Sequence, residues 1–454
     1  MSKGLPSALQ LKAFPKTGSM KIQTVVLEPQ LAQNNFVRYV LERRAILASD
    51  SIFTFSLVPN PAAAGLKPTL PINTGIGCII KNCTLRLGNV VISRTQDWAF
   101  YNTVAKCFES PETRTLKDTV VNGSLGTMRP STKTDGQFSL QNATYTSDDS
   151  SDVPNQLNLG NNPIFSIKLS ELFPALKGMQ IPLGHLESNM VIEFELNEQL
   201  AGTQGILAHM NDAEADGEAY VVTPNYAEMS MLADYLSFDD ATHDEIDDII
   251  NGGKGLLMPF HEIVTVMGQI ESQATEAEVP ILQELGLAGR VVKSVVVADS
   301  SAGDSAKATQ KDKLEGIYDL AYPGVTNTQL KINDLNVYPR PMTSVTNHIT
   351  ELESVFQAPL GITRPEYIDG QGGMDTEVDF GGTKLNNLNG KRHSSGVPLI
   401  SDPMTRRGTR VLDKPIRYER TIVRAAGKPA LTSRYFCSVE KAFAIRDGQV
   451  SVMV

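Results

Sequence analysis

The chain of 454 residues combines 41% hydrophobic with 20% charged residues, a composition that can bury ordinary apolar cores. Global disorder is therefore excluded, and 35 Gly and 25 Pro scattered without a period exclude a collagen-like fibre. Since 41 Lys and Arg stand against 51 Asp and Glu, the net charge is −10, and the overall field repels phosphate backbones. We expect no direct sequence-specific binding of nucleic acid.

The first 20 residues, MSKGLPSALQLKAFPKTGSM, contain no apolar segment of the signal-peptide kind. No window approaches the roughly 18 consecutive apolar residues that span a bilayer. We therefore expect a protein made in soluble form in the cytoplasm or nucleus. Four cysteines, Cys78, Cys83, Cys107 and Cys437, lie in or beside apolar segments without the paired CxxC spacing of a zinc site, which predicts buried thiols.

Alternation of apolar and polar residues, the pattern of a half-buried strand, dominates the sequence. It predicts strands over residues 52–58, 83–92, 165–169, 190–196, 290–298, 330–338, 417–423, 436–445 and 450–454. Gly, Pro, Asn, Asp and Ser separate these runs, as antiparallel connections require. The Asp447-Gly448 pair between the last two runs predicts a closing hairpin.

Three segments show the spacing of short amphipathic helices. The first follows Asp97 and covers residues 98–108. The second contains the capping-box sequence Thr242-His243-Asp244-Glu245, in which Thr242 is expected to cap the helix, and it ends at Gly252. The third covers residues 345–356, before Pro359. Each is about three turns long.

The two halves of the sequence share a pattern. Residues 85–89 (LRLGN), followed by the first helix, parallel residues 330–334 (LKIND), followed by the last helix. Both read as strand, turn, strand end and helix, which predicts a duplicated β domain with the middle helix as a linker. A long polar stretch follows the helix of each half, at residues 109–163 and 359–403, and we expect these stretches to be interaction loops.

No catalytic motif is present. Lys254 and Lys428 lack the Ser or Thr and the spacing of a phosphate-binding loop, and the chain has no HExxH or GxSxG sequence. The six histidines are isolated in sequence and are expected to be ordinary surface or core residues; they are His185, His209, His243, His261, His348 and His393. We predict no catalytic, cofactor-binding or metal-binding residues.

Charged residues cluster in two stretches. Residues 212–248 hold twelve carboxylates and no Lys or Arg, which a solvated face and helix N-terminal acids explain, although a calcium site without an EF-hand loop is an alternative. Residues 406–428 hold eight basic residues opposed by Asp413 and Glu419. Complementary stretches predict contacts between copies of the chain. Contact of the basic stretch with nucleic acid or lipid headgroups stays open.

This organisation resembles the double jelly-roll major capsid proteins of icosahedral double-stranded DNA viruses, most closely those of polinton-like viruses, virophages and relatives of the large eukaryotic DNA viruses. The segments that carry the resemblance are residues 165–169 and 181–196, residues 231–236 before the linker helix, and the ending AFAIRDGQVSV at residues 442–452. The resemblance covers nearly the whole chain.

The resemblance implies an all-β fold of two tandem eight-stranded jelly-roll sandwiches with short inserted helices. It divides the chain into an N-terminal arm (1–20), a first jelly roll (21–238), a linker helix (239–255) and a second jelly roll (256–454). It also implies a structural role, in which homotrimers form pseudo-hexagonal capsomers that tile a virion shell. The implied partners are neighbouring capsomers, penton and minor capsid proteins, and an internal membrane reached by the N-terminal arm.

Two other classes of protein compete with this interpretation. A β-sandwich glycoside hydrolase or carbohydrate-binding protein would use paired carboxylates, and Glu193 and Glu195 are the best candidates because they share one strand face. A single Trp and 6% aromatic residues argue against sugar stacking. A phage tail or receptor-binding protein would lack the internal duplication.

Overall fold

The computed structural model describes most of the predicted β regions. The described residues are 21–61, 67–69, 74–106, 127–130, 138–141, 164–177, 179–197, 208–210, 220–251, 255–301, 325–343, 345–357, 395–402, 407–411, 416–424, 426–427 and 430–453. The predicted N-terminal arm lies outside these residues, as do Cys107, His393 and most of both predicted loops. Within the described residues, no helix combines the length and the apolar composition needed to span a bilayer.

The first half of the chain forms two antiparallel sheets. One has seven strands in the order β11-β5-β16-β4-β12, with β1 on β16 and β15 on β5, and the other has five in the order β2-β3-β13-β7-β8. The strands are β1 Lys21–Leu27, β2 Leu31–Gln33, β3 Phe36–Leu41, β4 Ile46–Ala48, β5 Ile52–Pro61, β6 Lys67–Thr69, β7 Ile80–Leu87, β8 Val90–Gln96, β9 Thr127–Pro130, β10 Phe138–Gln141, β11 Ile164–Lys168, β12 Gln180–Ile181, β13 Met190–Leu196, β14 Ala208–Met210, β15 Tyr220–Pro224 and β16 Ser230–Ser237. Strands β9 and β10, and β6 and β14, pair as separate two-stranded ribbons.

The second half repeats this plan. A seven-stranded sheet has the order β17-β26-β19-β24-β23, with β22 on β19 and β27 on β26, and a four-stranded sheet has the order β18-β25-β20-β21. The strands are β17 Leu256–Ile270, β18 Ala277–Glu284, β19 Val291–Ser301, β20 Val325–Ile332, β21 Leu335–Asn336, β22 Ser395–Pro398, β23 Ile400–Asp402, β24 Arg407–Arg410, β25 Ile416–Arg424, β26 Leu431–Arg446 and β27 Gln449–Met453. Every pairing in both halves is antiparallel.

Alternating burial along the strands turns each pair of sheets into a sandwich. In β3 every second residue is buried, including Tyr39, and in β13 Phe194 is buried while Glu193 and Glu195 face outward. Tyr39 and Phe194 of the five-stranded sheet meet Phe53 of the seven-stranded sheet edge-on, with ring centroids 5.2 and 5.0 Å from Phe53. This aromatic cluster fills the space between the sheets of the first sandwich.

Among the described residues, four α-helices accompany the sheets, and three of them match the predicted helices. They are α1 Trp98–Lys106, α2 Leu169–Leu172, α3 Asp240–Asn251 and α4 Val345–Phe356. The predicted capping residue of α3 was wrong. Asp239, not Thr242, caps this helix, because Asp239 Oδ1 accepts hydrogen bonds from both the backbone N and the hydroxyl of Thr242.

Tight turns interrupt two runs that the alternation predicts as single strands. Gly88 adopts a φ of +57° between β7 and β8, and Asn333 and Asp334 adopt φ values of +52° and +64° between β20 and β21. Each turn is followed by a strand and then a helix, α1 or α4. The predicted parallel between the two halves therefore extends to a positive φ at the first residue of each turn.

The predicted closing hairpin is confirmed. Strand β26 pairs with β27 from Ala442↔Met453 to Arg446↔Gln449. Asp447 and Gly448 both have positive φ, 51° and 71°, as a two-residue turn of this hand requires.

These sheets confirm the all-β double jelly-roll fold class. Short additional strands, such as β2, β12 and β23, widen three of the four sheets beyond the four strands per sheet of an eight-stranded jelly roll. The described strands of one sandwich lie between residues 21 and 237 and those of the other between 256 and 453, and α3 lies between them. We propose on this basis the domain limits 21–238, 239–255 and 256–454.

A buried ion pair joins the two sheets of the second sandwich. Arg420 of β25 donates from Nη1 to Asp299 Oδ2 of β19 at 2.7 Å and from Nη2 to Asp299 Oδ1 at 2.8 Å, and both side chains are fully buried. Ser433 of β26 accepts from Arg420 Nη2 at 2.6 Å and donates to Asp299 Oδ1 at 2.6 Å. The guanidinium also lies 5.7 Å from the ring centroid of Tyr435.

This network corrects the prediction that the whole basic stretch 406–428 is a contact surface. Arg420 and Arg424 are 1% and 4% exposed, so they lie inside the sandwich. Arg417 is partly exposed, but it pairs with Glu284 and Asp334 of its own chain at 3.2 Å. Alternation on β25 places every second residue in the interior, and a bidentate carboxylate makes a buried guanidinium tolerable there.

Replacing Arg420 with Met should lower the free energy of unfolding by about 3–5 kcal/mol, because the Asp299 carboxylate would stay buried without its cation. Arg417→Met is the matched control, and the loss there should be about 0–1 kcal/mol because the Arg417 pairs are exposed to solvent. The double variant Arg420→Met/Asp299→Leu should recover most of the loss. Denaturant unfolding followed by circular dichroism measures the free energy of unfolding of the wild-type chain and the three variants. Equal losses for the two single Arg variants would contradict the prediction.

Candidate functional site at the junction of the two sandwiches

The carboxylates considered for a glycosidase pair form cross-strand contacts. Glu193 lies 3.8 Å from Arg38 of β3 and 3.6 Å from Arg86 of β7. Glu195 accepts a hydrogen bond from Asn82 Nδ2 at 2.5 Å, and this contact, followed by Lys81, lowers its pKa. A general acid of a glycosidase needs a raised pKa, whereas the pKa of Glu195 is lowered. The two carboxylates of a glycosidase also flank the sugar from opposite sides, whereas Glu193 and Glu195 share one strand face. The contacts of these two glutamates therefore fit a role in stabilising the sheet.

Two histidines that are isolated in sequence lie in contact in the structure. His185 Nε2 lies 3.1 Å from His243 Nδ1 with the rings stacked, and His185 Nδ1 lies 2.5 Å from Asp247 Oδ1. His185 belongs to the 3₁₀ turn Leu183–His185, and the other two belong to α3. This chain of contacts attaches α3 to the first sandwich. Among the described residues, no group of three His, Cys, Asp or Glu is arranged to hold a metal ion.

The described cysteines are buried thiols, as predicted. Cys78, Cys83 and Cys437 carry no disulfide and are fully buried. Burial raises the pKa of Cys83 and of Cys437 to about 12. Such thiols stay protonated at neutral pH and pack as small apolar groups.

Arg434 of β26 connects the second sandwich to the first. Its Nε donates to Asp97 Oδ2 at 2.7 Å, and its Nη1 donates to Ser300 Oγ of its own sheet at 2.6 Å. The guanidinium carbon lies 3.6 Å from the ring centroid of Phe100 in α1. Asp97 has a φ of +51°, and its carbonyl accepts from Phe100 N at the first turn of α1. The cation is thus held between a carboxylate and an aromatic face.

Strand β17 contributes a second polar contact along β8. Glu262 accepts a hydrogen bond from the backbone N of Arg94 at 3.2 Å and forms an ion pair with Lys441. Thr265 Oγ1 donates to the backbone carbonyl of Gln96 at 2.9 Å. Glu262 is 7% exposed, so its charge is paired where water has little access.

Apolar packing makes this junction continuous with both sandwiches. The Tyr101 ring of α1 contacts Phe436 of β26 edge-on at 5.5 Å between centroids and Phe356 of α4 at 6.5 Å. One cluster of buried apolar residues extends from the first sandwich into β17, β19, β26 and α4. Neither half can move against the other without exposing apolar surface to water.

The closing hairpin completes the junction. Gly448 O accepts from Glu187 N at 2.9 Å, and Asp447 N donates to Ile250 O of α3 at 3.3 Å. A Cβ at Gly448 would lie 2.6 Å from Glu187 Cγ, so the close approach as well as the positive φ requires glycine. The junction therefore involves α1, β8, the linker helix and the end of the second sandwich.

No local sequence pattern marks Arg434, Asp97 or Glu262 as residues of the junction. Asp97 and Arg434 are 337 positions apart, and no local pattern connects them. The available signal was Arg434 itself, a charged residue that directly precedes the buried residues Tyr435, Phe436 and Cys437 and whose own side chain is only 13% exposed.

Comparisons with known proteins identify the fold. No protein-family model matches the sequence, and no curated protein matches it significantly. Among solved structures, VP54 of the virus PBCV-1 matches with a TM-score of 0.58 and 12% identity over 97% of this chain and 98% of that chain. A chain of the Sputnik virophage structure matches with a TM-score of 0.59 and 10% identity over 96% and 88% of the two chains.

The Faustovirus major capsid protein matches with a TM-score of 0.56 and 9% identity over 96% of this chain and 92% of that chain. These likenesses extend across both sandwiches. The chain therefore has the double jelly-roll fold found in major capsid proteins of double-stranded DNA viruses, as the sequence predicts.

Replacing Arg434 with Met should lower the free energy of unfolding by about 2 kcal/mol or more, because the partly buried Asp97 and Ser300 lose their donor. Arg446→Met is the control; Arg446 lies on the same strand, is 66% exposed, and should tolerate the change within about 0.5 kcal/mol. Scanning calorimetry measures the loss of stability in both variants. An Arg434→Met variant that melts like Arg446→Met would show that this contact does not hold the junction.

Proposed function

We propose that this chain is a major capsid protein, a structural subunit that forms pseudo-hexagonal homotrimeric capsomers in the shell of an icosahedral double-stranded DNA virus. The observation that carries the proposal is the pair of jelly rolls with a continuous apolar core across their junction. Fold likeness over nearly the whole of known capsid chains supports it.

The geometry suits this role. Each chain supplies two similar β blocks whose relative position is held by Arg434, Glu262 and the closing hairpin. Three chains around a three-fold axis would present six similar blocks to their neighbours, which is the requirement for near six-fold packing. Neighbouring capsomers, penton proteins and minor capsid proteins are the partners proposed for such a block.

Further elements of the proposal concern parts of the chain that lie mostly outside the described residues; within them, strands β9, β10, β22 and β23 are described. We propose that residues 1–20 form an arm that reaches a neighbour or an internal membrane, and that the polar stretches 109–163 and 359–403 provide contacts between subunits. Of the basic stretch, Arg410 is exposed and keeps its proposed role at such contacts, whereas Arg420 and Arg424 do not.

A homotrimer is the first expected outcome. Light scattering and sedimentation of the purified chain at micromolar concentration should give three times the chain mass of 49.4 kDa. Negative-stain images should show blocks with near six-fold outlines. A chain that stays monomeric at neutral pH, with its β content intact by circular dichroism, would contradict the capsomer proposal.

The glycoside hydrolase is the second candidate, and Glu193 and Glu195 test it. Replacing both with Gln removes ion pairs with side chains that are partly exposed, so we expect a stability loss of about 1 kcal/mol per residue at most. Hydrolysis of a panel of glycans should be at background level in both proteins. Turnover by the wild-type chain that disappears in the Glu193→Gln/Glu195→Gln variant would favour the hydrolase.

A further inference from the structure

The two sandwiches correspond strand by strand. In the first, β1 pairs with β16, β16 with β5 and β5 with β11; in the second, β17 pairs with β26, β26 with β19 and β19 with β22. The facing sheets correspond in the same way, since the order β3-β13-β7-β8 matches β18-β25-β20-β21. Strand β1 is therefore the counterpart of β17, and β21 is the counterpart of β8.

The junction inside the chain uses one strand from each of these two counterpart pairs. Strand β17 contacts β8 through Glu262 and Thr265, and Arg434 of β26 reaches Asp97, which follows β8. The two remaining strands lie at the edges of their sheets. Among the described strands, β1 pairs with β16 alone and β21 pairs with β20 alone.

Both of these edge strands expose apolar side chains. Ile22 and Val26 of β1 are 61% and 63% exposed, and Leu335 of β21 is 74% exposed. Strand β1 pairs in one continuous register and has neither a bulge nor a Pro, the features with which native proteins protect an open edge. An unprotected edge with exposed apolar side chains is typical of a surface that binds another protein chain.

Each of the two faces also carries a charge without a counter-ion. Asp234 of β16 lies opposite Thr24 of β1 and accepts a hydrogen bond from its hydroxyl at 2.6 Å. Because side chains alternate along a strand, Thr24 and Asp234 share the outer face with Ile22 and Val26. Arg340 is exposed just after β21. In the part of the chain that the structure describes, neither Asp234 nor Arg340 has an ion-pair partner.

The signs of these charges are the reverse of those at the junction inside the chain. There the cation, Arg434, belongs to β26 and the carboxylate, Asp97, follows β8. At the open faces the carboxylate, Asp234, belongs to β16, the counterpart of β26, and the cation, Arg340, follows the counterpart of β8. Arg340 would repel Arg434 but attract Asp234. The charges thus direct β21 to the outer face of β1 and β16 rather than to that of β17 and β26.

We propose that β1 and the outer face of its sheet bind β21 of a second copy of this chain, with Ile22 and Val26 covering Leu335 and with Asp234 paired to Arg340. This inference rests on the proposed homotrimer and names the faces through which its chains meet. The contact is heterologous, so each chain offers β1 to one neighbour and β21 to the other. In a closed ring of three chains, first and second sandwiches then alternate, and the contact between chains resembles the junction within each chain.

Charge reversal tests the ion pair. Asp234→Arg and Arg340→Asp should each raise the dissociation constant of the trimer about tenfold or more, because each brings like charges together. The double variant Asp234→Arg/Arg340→Asp restores opposite charges across the contact and should recover assembly. Glu276→Arg is the control, since Glu276 is exposed between β17 and β18 and its reversal should leave assembly unchanged. Sedimentation measures assembly, and circular dichroism with thermal melting shows that each variant is folded.

Cysteine cross-linking tests the apolar part of the contact. The double variant Val26→Cys/Leu335→Cys, treated with a short bismaleimide, should give covalent dimers and trimers on a denaturing gel. Each single variant should stay a single chain. The control Val26→Cys/Leu282→Cys places the second thiol on β18, where Leu282 is 57% exposed, and should not be cross-linked. Dimers from Val26→Cys alone would mean that β1 pairs with β1 of another copy, and this result would contradict the proposed contact.

The outcomes separate the contact from the homotrimer. A wild-type trimer that neither single charge reversal weakens, or in which Val26→Cys/Leu335→Cys is not cross-linked, would overturn the contact and leave the homotrimer standing. Failure of the folded double charge variant to recover assembly would likewise show that Asp234 and Arg340 do not meet. A folded wild-type chain that stays monomeric would overturn both the homotrimer and the contact.

Discussion

The apolar core that continues from one sandwich into the other is the constraint on which the remaining structure depends. Tyr101 and Phe436 come from different sandwiches and pack edge-on within this core. Burying apolar surface favours close contact but specifies no angle, because the hydrophobic effect has no direction. The orientation comes from directional groups at the edge of the core, where Arg434 reaches Asp97 and Glu262 accepts from Arg94. The apolar core thus holds the two sandwiches together, and the polar contacts set their relative orientation.

Inside the second sandwich, a charged pair joins two sheets, whereas the charged residues at the junction join the two sandwiches. Arg420 and Asp299 connect two sheets that face each other, at a position where apolar residues would supply similar stability. A bidentate pair demands one relative placement of its strands, whereas apolar side chains can pack in several. In both sandwiches, nonspecific apolar packing alone would allow the two sheets to slide relative to each other. The polar contacts select one arrangement in the second sandwich, and the aromatic cluster around Phe53 and Phe194 fills the first.

Local patterns accounted for most of the fold. Strand Met190–Leu196 and the hairpin at Asp447 and Gly448 follow from neighbouring residues, since a period of two and an Asp-Gly turn are local properties. The junction could not be predicted this way. Asp97 and Arg434 are 337 positions apart, and His185 and His243 are 58 apart, so neither pair leaves a trace in sequence spacing. The burial of Arg420 follows from the alternation along its strand, which the high charge of the stretch obscures.

The long separation between Asp97 and Arg434 has a consequence for synthesis on the ribosome. The first sandwich emerges early and can fold as a unit, since domains fold in the order in which they are made. Until the strand of Arg434 is translated, Asp97 lacks its cation and the ring of Tyr101 lacks Phe436. A nascent chain in this interval displays an unprotected apolar face, a condition that invites association with chaperones or with other nascent chains.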